Sequence, residues 1–363
     1  MWASYGVRKP VAKVTPVEEP VINRAIRIDH AVQRWRARRA RDAGYSAEVI
    51  PYTSYGSTSW LRVLARVLLA KRSQRNADTP TGIRGWRNFV GVPLENASLT
   101  VETGERSYEV QADHSGIVDA VIDVDLEPGW HQISLRSEGS EVATALVFVV
   151  DPQTSFGVVS DVDDTVMVTA LPRPLLAAWH TFVVNEHARA TTPGMPVLYE
   201  RLCSRYPGAP FIYLSTGAWN VAPTLTRFLS RNLYPAGALL LTDWGPTADH
   251  WFRSGRAHKR SSLERLAREF PEIKWLLIGD DGQHDESIYR DFVAEHPENV
   301  AAVCIRRLTP GEAVLAGSSF RGHARTRDST VPWLHASDGA GLADKLERIG
   351  MLEPAPQQPE IKA

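Results

Sequence analysis

The sequence predicts an α/β chain in which a parallel sheet with a small insertion is preceded by an all-β sandwich. Two patterns carry this. Between Phe156 and Ile305, apolar runs of strand length alternate with amphipathic segments of helix length. That alternation implies right-handed crossovers and a parallel sheet covered on both faces. Between Val92 and Val150, five short runs rich in Val, Ile and aromatics are separated by turn residues, which is how a small antiparallel sandwich reads.

At 363 residues the chain is long enough for two cores. Its 43% hydrophobic and 23% charged content exclude a disordered or fibrous class. The net charge of -1 hides an asymmetry: residues 1–79 hold 15 Lys+Arg against 6 Asp+Glu, a balance of +9, and the remainder holds 26 against 36, a balance of -10. A basic arm of this kind suits an anionic partner, such as a membrane surface, or docks on the chain's own acidic body. No nucleic acid is expected. Cys203 and Cys304 are far apart in apolar contexts, too few for a disulfide framework or a metal quartet, and read as free thiols of a reducing compartment. Met1 to Pro20 lacks the apolar stretch of a signal peptide. The longest clean apolar run, Val142–Val150, is too short to span a bilayer. A cytoplasmic protein with peripheral membrane contact is the expectation.

Taken in order, residues 1–79 read as a basic N-terminal arm with helices. One helix is expected over Asn23–Arg41. A second is expected over Trp60–Ala70, where Leu61, Leu64 and Leu68 recur at helical spacing with Arg62 and Arg66 on another face. Such a helix lies on an anionic membrane or packs as ordinary core. Residues 80–152 read as the small β-sandwich, with strands Val92–Val101, Tyr108–Ala112, Gly116–Val124, Gly129–Arg136 and Val142–Val150. Residues 153–350 form the α/β domain. Its strands are Phe156–Asp161, Phe211–Ser215, Ala238–Thr242, Trp275–Gly279 and Val300–Ile305. Its helices are Leu171–Ala190, Met195–Tyr206, Val221–Asn232, Lys259–Phe270 and Glu286–His296, with Asp338–Ile349 closing the domain. Residues 351–363 read as a disordered tail.

Polar groups of interest gather at strand ends, where ligands of open α/β sheets sit. Phe156–Val159 runs into Ser160-Asp161-Val162-Asp163-Asp164-Thr165. Alternation along a strand lets Asp161 and Asp163 face the same way. Carboxylates that close repel, and a hard divalent cation such as Mg²⁺ removes the objection, because it prefers carboxylate, carbonyl and phosphate oxygens. The bland alternative is a solvated acidic turn. Three further groups follow: Ser215 closing its strand, Lys259 opening a helix, and Asp280, Asp281 and Asp285 after Trp275–Gly279. Phosphoryl transfer needs such parts: a nucleophile, a metal clamp, a hydroxyl donor and a fixed cation. Each has an ordinary counterpart, Ser215 as a helix cap and Lys259 as a solvated surface cation. Arg253 and Arg256 either bind a phosphate or face solvent. No P-loop, H-E-x-x-H or cysteine quartet occurs, which excludes P-loop nucleotide hydrolysis and argues against zinc.

Together these residues resemble the haloacid-dehalogenase-like superfamily, and within it the actin-patch-associated phosphatidate phosphatase catalytic-domain family. The resemblance rests on Asp161-Val162-Asp163-Asp164-Thr165-Val166, Pro193-Gly194-Met195 with Leu198-Tyr199, Tyr213-Leu214-Ser215 with Trp219, Lys259, and Gly279-Asp280-Asp281-Gly282 followed by Asp285 and Tyr289. It covers about 156–308. It implies a HAD-like Rossmannoid parallel sheet with a small cap insertion between Val166 and Pro210. It implies an Asp161 nucleophile that forms an aspartyl-phosphate, with Asp163 as acid and then base. Mg²⁺ would be held by Asp161, the Asp163 carbonyl and Asp280, supported by Asp285 or by Asp281. Thr165 and Ser215 would bind the phosphoryl oxygens, and Lys259 would neutralise charge. The implied activity is Mg²⁺-dependent hydrolysis of phosphatidate to diacylglycerol and phosphate. The alternatives are a soluble phosphate ester as substrate, or a membrane-recruited scaffold with a vestigial phosphatase domain.

Overall fold

A computed structural model of the chain describes residues 35–71, 91–168, 190–242, 248–282, 284–309, 311–312 and 330–354. Nine strands build the first half: β1 (Tyr45–Pro51), β2 (Ser54–Ser57), β3 (Trp60–Lys71), β4 (Val92–Pro93), β5 (Ser98–Thr103), β6 (Arg106–Gln111), β7 (Ile117–Asp123), β8 (Gly129–Ser137) and β9 (Ala143–Val150). They form one sheet in the order β1-β3-β2-β9-β8-β5-β6, with β4 and β7 paired to β3. All pairs are antiparallel except β2 with β9. The sheet curls so that inward residues of β3, β5, β7, β8 and β9 share one core, joined by Ala37 and Ala40 from a helical segment at 35–42.

Two sequence expectations are corrected here. Trp60–Ala70 is not an amphipathic helix but most of β3, and residues 45–71 belong to the sheet rather than to an arm. The reason is burial on both faces. Leu61, Val63, Ala65, Val67 and Leu69 alternate into the sheet core. Leu64, Leu68 and Ala70 point the other way into the core of the second half. A strand buried on both faces loses the alternation that marks a half-exposed one, and its leucines then fall at helical spacing by coincidence. The rest of the Asn23–Arg41 helix, the Leu171–Ala190 helix and the cap with Trp179, Phe182 and His187 fall outside the described residues, wholly or in large part.

The second half holds β10 (Phe156–Asp161), β11 (Phe211–Ala218), β12 (Ala238–Thr242), β13 (Lys274–Asp280), β14 (Val300–Arg306) and β15 (Trp333–Ala336). All neighbours are parallel. The order is β12-β11-β10-β13-β14-β15. The chain therefore winds outward from β10, then returns to its other side, and the reversal falls between β10 and β13. Among the described residues, five helices cover the sheet: α1 (Met195–Arg205), α2 (Ala222–Arg231), α3 (Ala248–Glu269), α4 (Asp285–Glu295) and α5 (Gly339–Arg348). Right-handed crossovers place α1 and α2 on one face and α3 and α4 on the other, and α5, which follows the last strand, packs beside α1. α1 starts with Pro196 in its first turn and buries Met195, Leu198, Tyr199 and Leu202, the stripe expected of a surface helix. Asp338 caps α5 by accepting from the Gly341 N–H at 2.8 Å.

Three more differences matter. Lys259 was expected to open a helix, but α3 extends back to Ala248, so Lys259 sits at its middle. β15 gave no sequence signal, because all four of its residues are half-buried. The tail expected from 351 is folded at its start, where Leu352 is buried in the main core and the Tyr206 hydroxyl donates to the Met351 carbonyl, and its remainder from 355 lies outside the described residues. Among the described residues, no helix is long and apolar enough to cross a membrane.

The two halves share a core. Tyr52, Tyr55, Leu64, Leu68 and Ile117 pack into the same cluster as Phe156, Trp219 and Phe270. Charged groups seal its margin. Arg62 reaches both Asp119 and Glu269, the Tyr55 hydroxyl donates to Glu269 at 2.8 Å, and Arg265 on α3 meets Asp119 at 2.8 Å.

Candidate active site

Register sets the site. Parallel pairing puts Asp161 beside Leu214, Ser160 beside Ile278, and Asp280 beside Arg306. The ends of β10, β11, β13 and β14 thus lie level at the switch point, the position where open α/β sheets bind ligands. Beyond Asp161 the chain turns sharply. The Val162 carbonyl accepts from the Val166 and Met167 N–H groups, and Asp164 adopts a left-handed conformation at φ 58. Asp residues tolerate that region better than most.

Four carboxylates and one ammonium meet there, all buried: Asp161, Asp163, Asp280, Asp285 and Lys259. The Lys259 ammonium donates to Asp161 Oδ1 at 2.6 Å and to Asp285 Oδ1 at 2.5 Å. Asp161, Asp280 and Asp285 each offer an oxygen within 4.8 Å of the others. Asp163 faces the other wall, where its Oδ2 accepts from the Ser215 hydroxyl at 2.9 Å. The Ser215 oxygen in turn accepts from the Gly217 N–H at 3.0 Å. Gly279 makes the cluster possible. A Cβ there would stand 2.8 Å from the Tyr289 ring and 2.9 Å from the Asp285 side chain, so only glycine lets α4 begin this close to β13.

The electrostatics are unbalanced. Burial, and then the charge of Asp285, push the Asp161 carboxyl well above the usual carboxylate range, and Lys259 offsets only part of this. Burial, Asp285 and Asp161 push Asp280 up in the same way. Burial opposes the charge of Lys259, but Asp161 and Asp285 outweigh it and hold the ammonium above the ordinary lysine range. Asp161 Oδ2, Asp280 Oδ2, Asp285 Oδ2 and the Thr165 hydroxyl are buried with no hydrogen-bond partner among the described residues. Buried carboxylate oxygens are expensive to leave unpaired. A divalent cation bound by Asp161, Asp280 and Asp285 would satisfy three of these atoms at once and draw both raised carboxyls back to their ionised form. An all-oxygen donor set suits a hard ion such as Mg²⁺.

The structure thus brings together Asp161, Asp163, Thr165, Ser215, Lys259, Asp280 and Asp285. It leaves Asp281 out. The Asp281 carboxylate accepts from the Leu308 N–H at 2.8 Å and braces the loop after β14. Arg256 pairs with Asp291 on the surface, and the Arg253 side chain lies outside the described residues. One residue near the site escaped the sequence reading. Arg306, 3% exposed at the end of β14, donates to the Asp164 carbonyl at 2.7 Å and pairs with Glu312 at 2.6 Å. It clamps the left-handed turn from outside. An arginine after an apolar run reads as a strand emerging into solvent, so no local signal marked it.

With this geometry in place, comparison with known proteins is informative. Residues 156–307 match the profile of the family described as "Phosphatidate phosphatase APP1, catalytic domain", which bears out the resemblance read from the motifs. Phosphatidate phosphatase APP1 of Saccharomyces cerevisiae is 22% identical over 151 residues, 41% of this chain and 25% of that protein. An uncharacterized protein of Schizosaccharomyces pombe is 26% identical over 155 residues, again 25% of its length. The chain thus spans about a quarter of the curated relatives it matches. Among solved structures, a carbohydrate acetylesterase from Xanthomonas citri covers 75% of this chain and 73% of its own at 9% identity, with a TM-score of 0.27. PhoD covers 72% and 70% at 9% identity, also with a TM-score of 0.27. Likenesses that weak do not define the fold.

Proposed function

We propose that the chain is a Mg²⁺-dependent phosphomonoesterase of the HAD-like kind, acting on phosphatidate or a related lipid phosphate. One observation carries the reading: Lys259 lies between Asp161 and Asp285, inside a three-carboxylate cluster at the switch point of a parallel sheet. A merely structural ion pair would need one carboxylate, not three with orphaned oxygens. The family match over 156–307 supports the lipid phosphate as substrate class.

In this reading Asp161 attacks phosphorus, the bond from phosphorus to the ester oxygen breaks, and an aspartyl-phosphate forms. Asp163 protonates the leaving oxygen. It then takes a proton from the water whose oxygen attacks the aspartyl-phosphate, which releases phosphate and restores Asp161. Ser215 and Thr165 donate to the phosphoryl oxygens. Lys259 fixes the Asp161 carboxylate and balances charge near the phosphate. Asp161, Asp280 and Asp285 would hold Mg²⁺, which supplies positive charge that favours ionised carboxylates and bound phosphate together.

The test is phosphate release by the full chain from micellar phosphatidate and from an aryl phosphate, with Mg²⁺ and with excess chelator. Turnover of phosphatidate that vanishes in chelator is expected, and Asp161→Asn should lose at least about 10³-fold while staying folded. Release from the aryl ester alone would move the substrate to a soluble phosphate. Full activity in chelator, or an Asp161→Asn variant that keeps more than a tenth of the rate, would overturn the mechanism.

A further inference from the structure

Two of the contacts between the sheet half and the α/β half differ in kind. At one, Tyr55 and Arg62 reach Glu269, at the far end of α3 from the site. At the other, Tyr52 reaches the turn that follows Ser215. The Tyr52 hydroxyl donates to the Trp219 carbonyl at 3.1 Å. The two rings stack with centroids 4.8 Å apart and 23° between planes. Both residues are buried.

That turn continues the end of β11, whose Ser215 hydroxyl donates to Asp163, and the segment is held at several points. Ser215 is tied to Asp163 and to the Gly217 N–H. The Thr242 hydroxyl, at the end of β12, donates to the Thr216 carbonyl at 2.8 Å. The Tyr52 contact closes its far end. Among the described anchors, Tyr52 is the one supplied from the sheet half, and it lies 167 residues from its partner. It also lies outside the segment that matches the phosphatase family.

We propose that Tyr52 is a positioning residue for phosphoryl transfer: through Trp219 the sheet half sets the turn that places Ser215 against Asp163 and the phosphate. The proposal rests on the phosphatase reading. Its physical basis is the steep dependence of rate on placement, since a displacement of about 1 Å can cost roughly a hundredfold in turnover. A turn tethered only by its own short hydrogen bonds samples more positions than one pinned by a stacked, hydrogen-bonded ring.

Tyr52→Phe keeps the stack and removes the donor. Tyr55→Phe removes a phenol hydrogen bond from the same interface, but at Glu269. If the interface serves stability alone, the two variants should behave alike. The expectation is that Tyr52→Phe lowers kcat on a soluble aryl phosphate about five- to tenfold with KM within about twofold, and weakens orthovanadate inhibition in step. Tyr55→Phe should leave kcat within about twofold at a similar shift in Tm. Trp219→Phe, which alters the stack from the other side, should repeat the kcat loss. Backbone amide exchange over 215–221 should speed up in Tyr52→Phe and not in Tyr55→Phe. Equal kinetic losses in the two tyrosine variants, or an unchanged kcat or exchange pattern in Tyr52→Phe, would overturn the proposal. A wild type that hydrolyses no phosphate ester overturns the phosphatase reading and the role in turnover with it, while the exchange comparison still decides whether Tyr52 holds the turn.

Discussion

His258 precedes Lys259 on α3 but faces β12 rather than the carboxylate cluster. Its ring is half-buried, with Nε2 3.3 Å from the Leu240 carbonyl. A carbonyl only accepts, so Nε2 carries a proton, and it is the lowered pKa that keeps Nδ1 free of one near neutral pH. Burial first, and then the charges of Arg265 and Lys259, bring its pKa down to about 4. The unfolded chain titrates this group near 6.5. A folded-state pKa below the unfolded value means stability that is complete above pH 6.5 and drains away as pH falls toward 4, because the unfolded chain takes up the proton first. The full loss is at most about 3 kcal/mol. His258→Gln can keep a donor toward Leu240 without titrating. The stability gap between wild type and this variant, read from denaturant melts, should shift against wild type between pH 7 and pH 4.5. Comparing the two cancels the contributions of Asp161 and Asp280, which run in the opposite direction. A constant gap across that range would show that the fold does not hold His258 neutral.

The junction between β13 and α4 shows how two elements make one site. Asp280 ends the strand and Asp285 begins the helix, and Gly279 lets them approach. In Gly279→Ala the new methyl would meet the Tyr289 ring and Asp285 at under 3 Å, so the start of α4 must move back. Overpacking of this kind costs about 1–3 kcal/mol. The larger effect should fall on the metal: the Mg²⁺ concentration for half-maximal activity is expected to rise at least about tenfold, because carboxylate ligands must sit within a few tenths of an ångström of ideal geometry. An unchanged Mg²⁺ dependence would remove Asp285 from the cation site. The same elements explain what was readable in the sequence. β10 to β14 are buried parallel strands, so each appears as an apolar run, and their polar ends exposed Asp161, Ser215 and Asp280 as candidates. β3 is also buried on both faces, but its leucines at 61, 64 and 68 mimic a helix, and only pairing to β1, β2, β4 and β7 resolves it. Tyr52 and Arg306 could not be found locally. Each acts on a backbone carbonyl more than 140 residues away in the chain, and no local pattern of residue types encodes such a partner.

For the molecule as a whole, β3 is both the spine of the sheet and one wall of the core shared with the α/β half. Leu61, Val63, Leu64, Val67, Leu68 and Leu69 are each no more than 2% exposed. Burying side chains of this size contributes about 2 kcal/mol each, which sums to the order of the 5–15 kcal/mol that holds a typical domain together. Removing residues 1–79 would delete β1, β2 and β3, strip Tyr52, Tyr55 and Arg62 from the interface, and uncover the end of α3 that carries Glu269. The membrane role expected for Trp60–Ala70 therefore has no exposed surface to act through, and the basic residues of 1–79 left for an arm are Arg8, Lys9, Lys13, Arg24, Arg27 and Arg34 in residues 1–34, the exposed Arg36, Arg38, Arg39 and Arg41 of the helical segment at 35–42, and Lys71, Arg72 and Arg75. Two truncations separate these roles. Deletion of 1–79 is expected to abolish cooperative melting and to destroy activity on a soluble aryl phosphate and on vesicle-bound phosphatidate alike. Deletion of 1–34 removes no described strand or interface contact, so Tm and turnover of the soluble ester are expected to stay within experimental spread of wild type, and any loss confined to anionic vesicles would assign lipid contact to those residues. A deletion of 1–79 that still melts cooperatively and still hydrolyses the aryl ester would show that the α/β half folds and works alone, and would break the argument that the sheet half is part of the catalytic machinery.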